Sequence, residues 1–519
     1  MKEIGVGISE FKEVIEQKLL YVDKTEFIWQ LLRHGTGEYF LIRPHGFGKS
    51  LLISTLKAIF QGQRKLFKGM AIDNTDYDWK EYPVVHLDFS DCKANTPDSF
   101  CSYLDEMVQC ESDAFGITPS GYNCVSRFAN LIKTAAANGK VVVLVDNYDV
   151  PVSRNLGLAS AHEIHRLLKD FLLPIKGCNE KIHFALLAGT QKICLADCFG
   201  GVNNLTDITL KTDFAGMLGF TEDEIRKYFA DRILMAAEAN NCTEEELMRT
   251  LLKWYDGYRF SDAETHVCNP VSLSTFFSDN YKFSNYWGKT GMPSFLLELA
   301  KKTRFNFEMA LSQPVSDLVF GAYELDNLDP MGLLWQTGYL TIKELTPSPF
   351  GFGVFYRLGF PDLEVEQSFN TQLLTYYSGF KDMEMSAVLS QLMSSARENR
   401  IEDFMKALQS YFASIPYDIR GGDEHYYQTI FFITFLLLGT AIEAESRTSD
   451  GRIDAVIATQ RHVFIFEFKL DKPAPTALDQ IEDKKYYLKY QSSGKSITLV
   501  GASFDQSRGK LVEWTLMDL

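Results

Sequence analysis

Two carboxylates and one lysine near the C-terminus have the residue types and spacing for metal-dependent chemistry. Asp454 lies in one apolar segment, 452–457, and Glu467 and Lys469 lie in the next, 463–470. Alternate residues of a β-strand share a face, so Glu467 and Lys469 are expected to point the same way. On a neighbouring antiparallel strand, Asp454 would approach Glu467, and the two carboxylates would offer the oxygen ligands that Mg²⁺ prefers. A bound Mg²⁺ would activate a water and stabilise charge on a phosphate, and Lys469 would position that water or steady the phosphorane.

The predicted strand that carries Glu467 presents aromatic residues on its other face: Phe464, Phe466 and Phe468. That face suits a core covered by helices. A predicted helix follows the strand and carries Gln480. The alternative is a surface salt bridge between Lys469 and one of the carboxylates, because this spacing also arises by chance.

A glycine-rich segment near the N-terminus has the context of a phosphate-binding loop, between a predicted strand and a predicted helix. The backbone at Gly46 and Gly48, together with the side chain of Lys49, can cradle phosphates there. Ser50 would reach a Mg²⁺ ion bound to them. The usual pattern requires a glycine seven residues before Ser50, but Arg43 occupies that position. The alternative is an ordinary glycine-rich turn between a strand and a helix.

A second segment suits the same nucleotide chemistry. An unbroken apolar run, 141–145, ends in Asp146, which is positioned to hold Mg²⁺ through water. Asn147 follows it, at the position where ATPases with a phosphate-binding loop usually have a glutamate that orients the attacking water. An amide cannot act as a base. Asp149 is the next acid along the chain. Thr190, at the end of another predicted strand, is a candidate sensor of the terminal phosphate.

The surrounding elements predict an α/β protein of three domains. Residues 1–217 alternate apolar runs with helical patterns, which is typical of a doubly wound parallel sheet. Residues 218–368 are predicted to be mostly helical, with one hairpin and a winged-helix element. Residues 369–519 are predicted to form a helical and β-meander domain. The finer elements are strands at 39–42, 84–89, 141–145 and 184–187, hairpin strands at 339–343 and 354–358, a buried helix at 426–438, meander strands at 441–447, 452–459 and 463–470 with a turn at Asp450–Gly451, and a helix at 476–488.

Bulk properties limit the alternatives. The chain has 519 residues and a net charge of −16, so any nucleic-acid surface must be a local patch on an acidic protein. The N-terminus lacks the apolar core of a signal peptide, and the longest apolar run, 430–438, is too short to span a bilayer. The nine cysteines form no zinc pattern and are expected to be free thiols in a reducing cytoplasm.

The C-terminal segment resembles the core of the PD-(D/E)XK nuclease superfamily, which has a restriction-endonuclease-like α/β fold. By this resemblance, Asp454 and Glu467 are the metal ligands, and Asp454, Glu467 and Lys469 are catalytic. Gln480 matches the polar position of the following helix, and Glu424 matches the optional acid upstream. The resemblance implies a Mg²⁺-dependent nuclease, with DNA as the expected substrate.

The whole chain resembles a bacterial family that fuses an AAA-ATPase-like domain, of the ASCE class of P-loop proteins, to such a nuclease domain. The resemblance is carried by the phosphate loop, by 203–207, by 253–258, by Asn269–Pro270 and by 336–339. It implies an ATP–Mg²⁺ site formed by Gly46, Gly48, Lys49, Ser50, Asp146 and Thr190. Arg43 follows the family norm, whereas Asn147 and His45–Gly46 depart from it. With those departures, we expect nucleotide binding together with weak or absent ATPase activity.

Three hypotheses follow. The first is a nuclease that is regulated by its nucleotide-binding domain and has weak or absent ATPase activity. The second is a non-hydrolysing ATP-binding scaffold that binds nucleic acid or a protein partner without cleavage, which Asn147 and the acidic charge favour. The third is a mechanical ATPase that uses the nuclease fold for binding alone. Oligomers are possible, and no membrane partner is expected.

Overall fold

The computed structural model describes residues 1–33, 35–193, 205–290, 294–302, 305, 307–348, 351, 353–415, 430, 433–434, 443–445, 455–485, 487–505 and 510–519. The chain divides into two compact units. The first comprises Met1–Lys289 and Leu311–Val365, and the second comprises Thr290–Ala310 and Glu366–Leu519. The division into three domains at 217 and 368 stays a prediction.

The first unit is built on a five-stranded sheet whose neighbouring strands are all parallel. The strands are β1 (Gly37–Ile42), β2 (Val84–Asp88), β3 (Val141–Asp146), β4 (Ile182–Gly189) and β5 (Leu205–Asp207), in the order β2-β3-β4-β1-β5. Every residue of β3 is buried, as expected for a central strand covered on both faces. The sheet confirms the predicted P-loop class of α/β domain, in which β4 separates the strand before the phosphate loop from the strand that ends in an acid.

The helices around this sheet bury apolar side chains. The helix Ala161–Gly177 buries Ile164, Leu168 and Phe171, spaced one turn apart, and Phe171 stacks on Phe128 with ring centroids 4.9 Å apart. The helices of this part are Phe11–Glu16, Thr25–Leu32, Lys49–Phe60, Pro97–Ala114, Cys124–Ala135, Val150–Ser153 and Ala161–Gly177.

The rest of the first unit is mostly helical, as predicted. Its helices are Glu222–Tyr228, Ala230–Ala239, Glu244–Tyr255, Pro270–Ser278 and Pro330–Thr337, and its strands are β6 (Val315–Ser316), β7 (Thr341–Pro347) and β8 (Val354–Gly359). The last helix ends at Gly338, whose φ of 91° needs glycine, and β7 and β8 then pair antiparallel. The predicted hairpin is confirmed, and the winged-helix interpretation stays a prediction.

The second unit contains a mixed sheet in the order β13-β12-β11-β10-β9. Its strands are β9 (Glu443–Glu445), β10 (Ala455–Ala458), β11 (His462–Leu470), β12 (Ser496–Asp505) and β13 (Lys510–Asp518). The antiparallel neighbours β9, β10 and β11 confirm the predicted meander, whereas β12, parallel to β11, and β13 were not predicted.

Helices cover both faces of β11. Phe466 packs on Phe404 of the helix Ile401–Ser414, while Val463 and Ile465 pack with Leu478 and Ile481 of the helix Ala474–Lys484. The other helices are Ser294–Lys302, Phe307–Ser312, Leu363–Ser378, Asp382–Arg397 and Leu488–Gln491. The predicted helix at 426–438 is described only at three buried residues, Ile430, Ile433 and Thr434, and the predicted turn at 450–451 lies outside the described residues.

Two further sequence predictions concern the chain as a whole. The seven cysteines within the described ranges are free thiols, as expected. Within those same ranges, none of the helices combines the length and apolarity needed to cross a membrane.

Candidate phosphate-loop and nuclease sites

The phosphate loop joins β1 to the helix Lys49–Phe60 at the carboxyl edge of the first sheet. Gly46 and Gly48 have φ angles of 83° and 89°, a left-handed conformation that glycine adopts without strain. A Cβ on Gly46 would lie 2.7 Å from Oδ1 of Asn269. Asn269 caps its own helix and donates from Nδ2 to the carbonyl of His45 at 3.0 Å. The loop therefore has a fixed shape, held from outside by Asn269.

Lys49 is buried at the base of the loop. Its Nζ donates to the carbonyls of Arg43 at 2.7 Å and Pro44 at 3.1 Å, and to Oγ1 of Thr190 at 3.3 Å. Burial lowers the pKa of Lys49 to about 8, and the carboxylates of Asp149 and, less strongly, Asp146 oppose that shift. The ammonium group thus joins the loop to the end of β4, where Thr190 was predicted to sense a phosphate.

Asp146 ends β3 with a buried carboxyl group. Burial raises its pKa to about 6, and hydrogen bonding by the Ser50 hydroxyl opposes the shift. Within the described residues, Oδ1 of Asp146 has no hydrogen-bond partner. An oxygen atom that is buried without a donor, next to a serine hydroxyl, fits the oxygen ligands of a Mg²⁺ ion or of its bound waters.

Asp149 has a positioning role that the sequence did not reveal. Its Oδ1 and Oδ2 accept hydrogen bonds from the amides of Thr190 and Gln191, each at 3.0 Å. The carboxylate also packs against Gly189, where a Cβ would lie 2.5 Å from Oδ1. Asp149 therefore fixes the backbone that carries Thr190, and both of its oxygens are engaged.

Arg43, in place of the usual glycine, turns away from the loop interior. Its guanidinium donates to the carbonyls of Ile42 and Thr209 at 2.9 Å and lies 4.2 Å from the centroid of the Phe260 ring. Burial lowers the pKa of Arg43 to about 9, with partial compensation from Asp207. Arg43 thus ties the loop to distant parts of the first unit through hydrogen bonds and a cation–π contact.

A cavity of about 300 Å³ opens beside the phosphate loop. One wall is the loop itself, 45–52, and Asn147 lies nearby. The other walls are the N-terminal segment 4–9 and the segment 217–220, with Pro270. A mostly apolar cavity next to anion-binding amides has the chemistry for a nucleobase beside its phosphates.

Three polar side chains meet in the second unit between β11 and the helix Ala474–Lys484. Nζ of Lys469 donates to Oε1 of Glu467 at 2.9 Å and also to Oε1 of Gln480, while Nε2 of Gln480 donates to Glu467. The side chain of Glu467 is 3% exposed and that of Lys469 is 19% exposed, so this contact is not a surface salt bridge. Burying a carboxylate, an amide and an ammonium group together has a high desolvation cost, which packing alone does not explain.

The helix that carries Gln480 can approach the sheet because of Gly501. This residue lies on β12, opposite Glu467 in the parallel register. A Cβ there would lie 2.6 Å from the carbonyl oxygen of Ala474 and 2.9 Å from Cγ of Leu478. The glycine therefore sets the spacing that brings Gln480 onto Glu467.

Comparisons with known proteins identify two domains in the chain. A family described as predicted AAA-ATPase matches residues 5–199, and the PD-(D/E)XK nuclease superfamily matches residues 422–514. A protein of Azotobacter chroococcum mcd 1, named "Uncharacterized protein in vnfD 5'region", is 33% identical over 531 residues, covering 100% of this chain and 99% of that protein. The chain belongs to the family that joins these two domains.

In this AAA-ATPase-like/PD-(D/E)XK chain, the structure brings together all the residues predicted at the phosphate loop. In the nuclease-like unit it brings together Glu467, Lys469 and Gln480. The other predicted nuclease residues, Asp454 and Glu424, lie outside the described residues. Among the residues that the structure does describe, no group of three or more potential metal ligands is present.

The roles of two further residues at the phosphate loop were also not predicted from the sequence. Asp88 ends β2, pairs in register with Asp146, and accepts a hydrogen bond from Nδ2 of Asn147 at 3.2 Å. Asn269 holds the loop from outside. The role of Asp88 can be inferred only from the strand order, because Asp88 and Asn147 are 59 residues apart. Asn269 belongs to one of the segments that carry the family resemblance, but that resemblance gave it no role.

Proposed function

We propose that this chain is a nucleotide-binding, Mg²⁺-dependent nuclease whose P-loop domain regulates its nuclease domain, with DNA as the expected substrate. The observation that carries this proposal is the buried cluster of Glu467, Lys469 and Gln480 within the segment matched by the PD-(D/E)XK superfamily. A cluster of this composition suits phosphodiester hydrolysis better than it suits the stability of a core.

The expected roles follow from the chemistry of each group. Glu467 supplies one carboxylate ligand for Mg²⁺. Asp454, the expected second ligand, directly precedes Ala455, which pairs across the ladder with Phe466, the neighbour of Glu467. Bound Mg²⁺ would lower the pKa of a water and neutralise phosphate charge. Lys469 orients that water, and Gln480 holds Lys469 and Glu467 in place.

The first unit supports nucleotide binding. Lys49 and the amides of the phosphate loop suit the phosphates, Ser50 and Asp146 suit the accompanying Mg²⁺, and the adjacent cavity suits the base. We expect ATP to be the nucleotide.

A contact path within the first unit supports regulation. Thr190 contacts Lys49, and two residues later the amide of Lys192 donates to Oε1 of Gln336 at 2.7 Å. Gln336 lies on the helix before the hairpin and donates to the carbonyl of Gly321 at 3.0 Å. A phosphate that draws Lys49 or Thr190 away would therefore act on the predicted winged-helix element.

The net charge of −16 requires a local basic surface for DNA, for which Lys484, Lys485 and Lys489 are candidates. We place the protein in the bacterial cytoplasm because its cysteines suit a reducing compartment.

Cleavage assays test the nuclease proposal. The purified full chain is incubated with plasmid, linear and single-stranded DNA and with RNA, in Mg²⁺ or Mn²⁺, with and without ATP. Lys469→Ala removes the ammonium group, while the matched control Lys472→Ala removes an exposed lysine three residues away. We expect metal-dependent cleavage that ATP changes, that Lys469→Ala abolishes and that Lys472→Ala retains.

The second candidate function is the outcome that would replace the first. Asn147, at the position of the usual glutamate, favours a non-hydrolysing ATP-binding scaffold, which would bind nucleic acid or a protein partner without cleavage. Saturable ATP binding that Lys49→Ala removes, with no cleavage of any substrate in either metal, would support the scaffold and contradict the nuclease.

A further inference from the structure

The end of β3 places an amide, Asn147, where a water-activating acid is expected. Its φ of 54° is left-handed, a conformation that asparagine tolerates better than most residues. Its Nδ2 donates to Oδ1 of Asp88 at 3.2 Å. That bond fixes the orientation of the amide. A carboxylate from the neighbouring strand is therefore held beside the position where the usual acid is missing.

Asp88 is placed to reach water at the phosphate-loop edge. It is exposed, it ends β2, and it pairs in register with Asp146 on β3. Oδ1 also accepts from the amide of Ser90 at 2.9 Å, and Oδ2 accepts from the Ser90 hydroxyl at 2.9 Å. A carboxylate has about four acceptor positions, so these three bonds leave one on Oδ2 for a water.

The other two acids nearby are committed elsewhere. Asp146 is buried beside Ser50 and suits Mg²⁺. Asp149 is buried, and each of its oxygens already accepts a backbone amide. Asp88 lies beside Asp146 in the strand register, and its charge adds to the effect of burial in raising the pKa of Asp146. Asp88 therefore combines exposure, proximity to the Mg²⁺ position and remaining acceptor capacity.

We infer that Asp88 is the general base for ATP hydrolysis in this chain and that Asn147 is its positioning residue. This inference rests on the proposed nucleotide binding. The water oxygen forms a bond to the γ-phosphorus as the bond to the bridging oxygen breaks, and ADP leaves with that electron pair. The proton of the water passes to Oδ2 of Asp88 and then to solvent. The acid missing after Asp146 is thus supplied by the adjacent strand.

Phosphate release by the full chain at saturating ATP and Mg²⁺, with and without DNA, tests the inference. Asp88→Asn keeps the shape of the side chain and removes the base. Asn147→Gly keeps the left-handed backbone and removes the amide. The control Asp91→Asn neutralises an exposed acid in the same loop. Binding of a fluorescent ATP analogue is measured for every variant.

We expect Asp88→Asn to lower kcat by about 100-fold or more, the usual contribution of a general base. Asn147→Gly should lower kcat in the same direction, and both variants should keep nucleotide affinity within about threefold. Asp91→Asn should match the wild type. Unchanged turnover in Asp88→Asn would overturn the inference. So would a wild type that binds ATP without hydrolysing it, which leaves nucleotide binding intact. Absence of binding would instead refute the proposed nucleotide site itself.

Discussion

Protonation of Asp146 should weaken Mg²⁺–ATP binding below about pH 6. Burial raises the pKa of this carboxyl group to about 6, and only the ionised form can hold Mg²⁺ or its bound waters. Because the pKa is raised, the ionised fraction is nearly complete at pH 7.5 and about one tenth at pH 5. Apparent affinity should therefore fall about tenfold between these values, equivalent to about 1.4 kcal/mol.

The assay must separate Asp146 from the ligand, because a terminal phosphate group also titrates near pH 6. Asp146→Asn meets the same ligand and lacks the carboxyl group. The measured quantity is the ratio of the wild-type and variant affinities for Mg²⁺–ATP, by calorimetry, from pH 5 to 7.5. The range stops at 7.5 because burial lowers the pKa of Lys49 to about 8, so that phosphate binding weakens above that pH.

We expect the ratio to favour the wild type about tenfold more at pH 7.5 than at pH 5, and to lose that dependence when Mg²⁺ is omitted. A ratio that stays constant over the whole range would show that Asp146 does not bind the metal in its ionised form, or that its pKa is ordinary. Either result would refute the reasoning from burial and from the missing partner of Oδ1.

Three further perturbations have defined outcomes. Gln480→Ala should lower Mg²⁺-dependent cleavage about 10–100-fold by freeing the partners of Gln480, with the exposed Asp479→Ala as its control; equal rates for the two would remove its orienting role. Asn147→Glu should not raise ATP turnover, since a glutamate strains the left-handed backbone and repels Asp88; a gain in phosphate release would contradict the role given to Asp88. Glu364 is buried, and burial raises the pKa of its carboxyl group to about 7. A glutamine at this position can still accept the two backbone amide hydrogen bonds that Glu364 accepts. In the unfolded chain this carboxyl group ionises at a lower pH than in the folded chain, so the unfolding free energy of the wild type falls as the pH rises. Glu364→Gln should therefore match the wild type near pH 4.5 and exceed its unfolding free energy by up to about 3 kcal/mol at pH 8. Parallel melting curves across this range would exclude a buried, neutral Glu364.

The parts that were predictable from sequence are those fixed by local pattern. Apolar runs such as 141–145 are long enough to identify buried parallel strands, and glycines at 46 and 48 mark a turn before a helix. The alternation around Glu467 correctly separated a polar face from an aromatic one. The strand β12 was not predicted, although its apolar run, which Gly501 interrupts, could have indicated it in the same way.

What could not be predicted depends on neighbours that are distant in the chain. Asp88 and Asn147 meet because β2 lies next to β3, and no spacing along the sequence specifies that order. The sequence predicted that a helix carrying Gln480 follows β11, but not that this helix covers the face with Glu467. Gly501 permits that approach from a third element, so the burial of Glu467 could not be inferred from its own strand.

The two departures from the usual nucleotide-binding pattern have different physical consequences. Arg43 does not adopt a left-handed backbone, so its position does not require glycine, and its side chain leaves the phosphate side to bond elsewhere. The loop keeps its shape, because Gly46 and Gly48 supply the left-handed turns. In the inferred hydrolysis, Asn147 removes a charge at the point where a proton is accepted, and no change of shape can replace that charge. A neighbouring carboxylate can supply it, and Asp88 is already hydrogen-bonded to that amide. A pattern search counts both departures equally, whereas the chemistry of the site depends on the second alone.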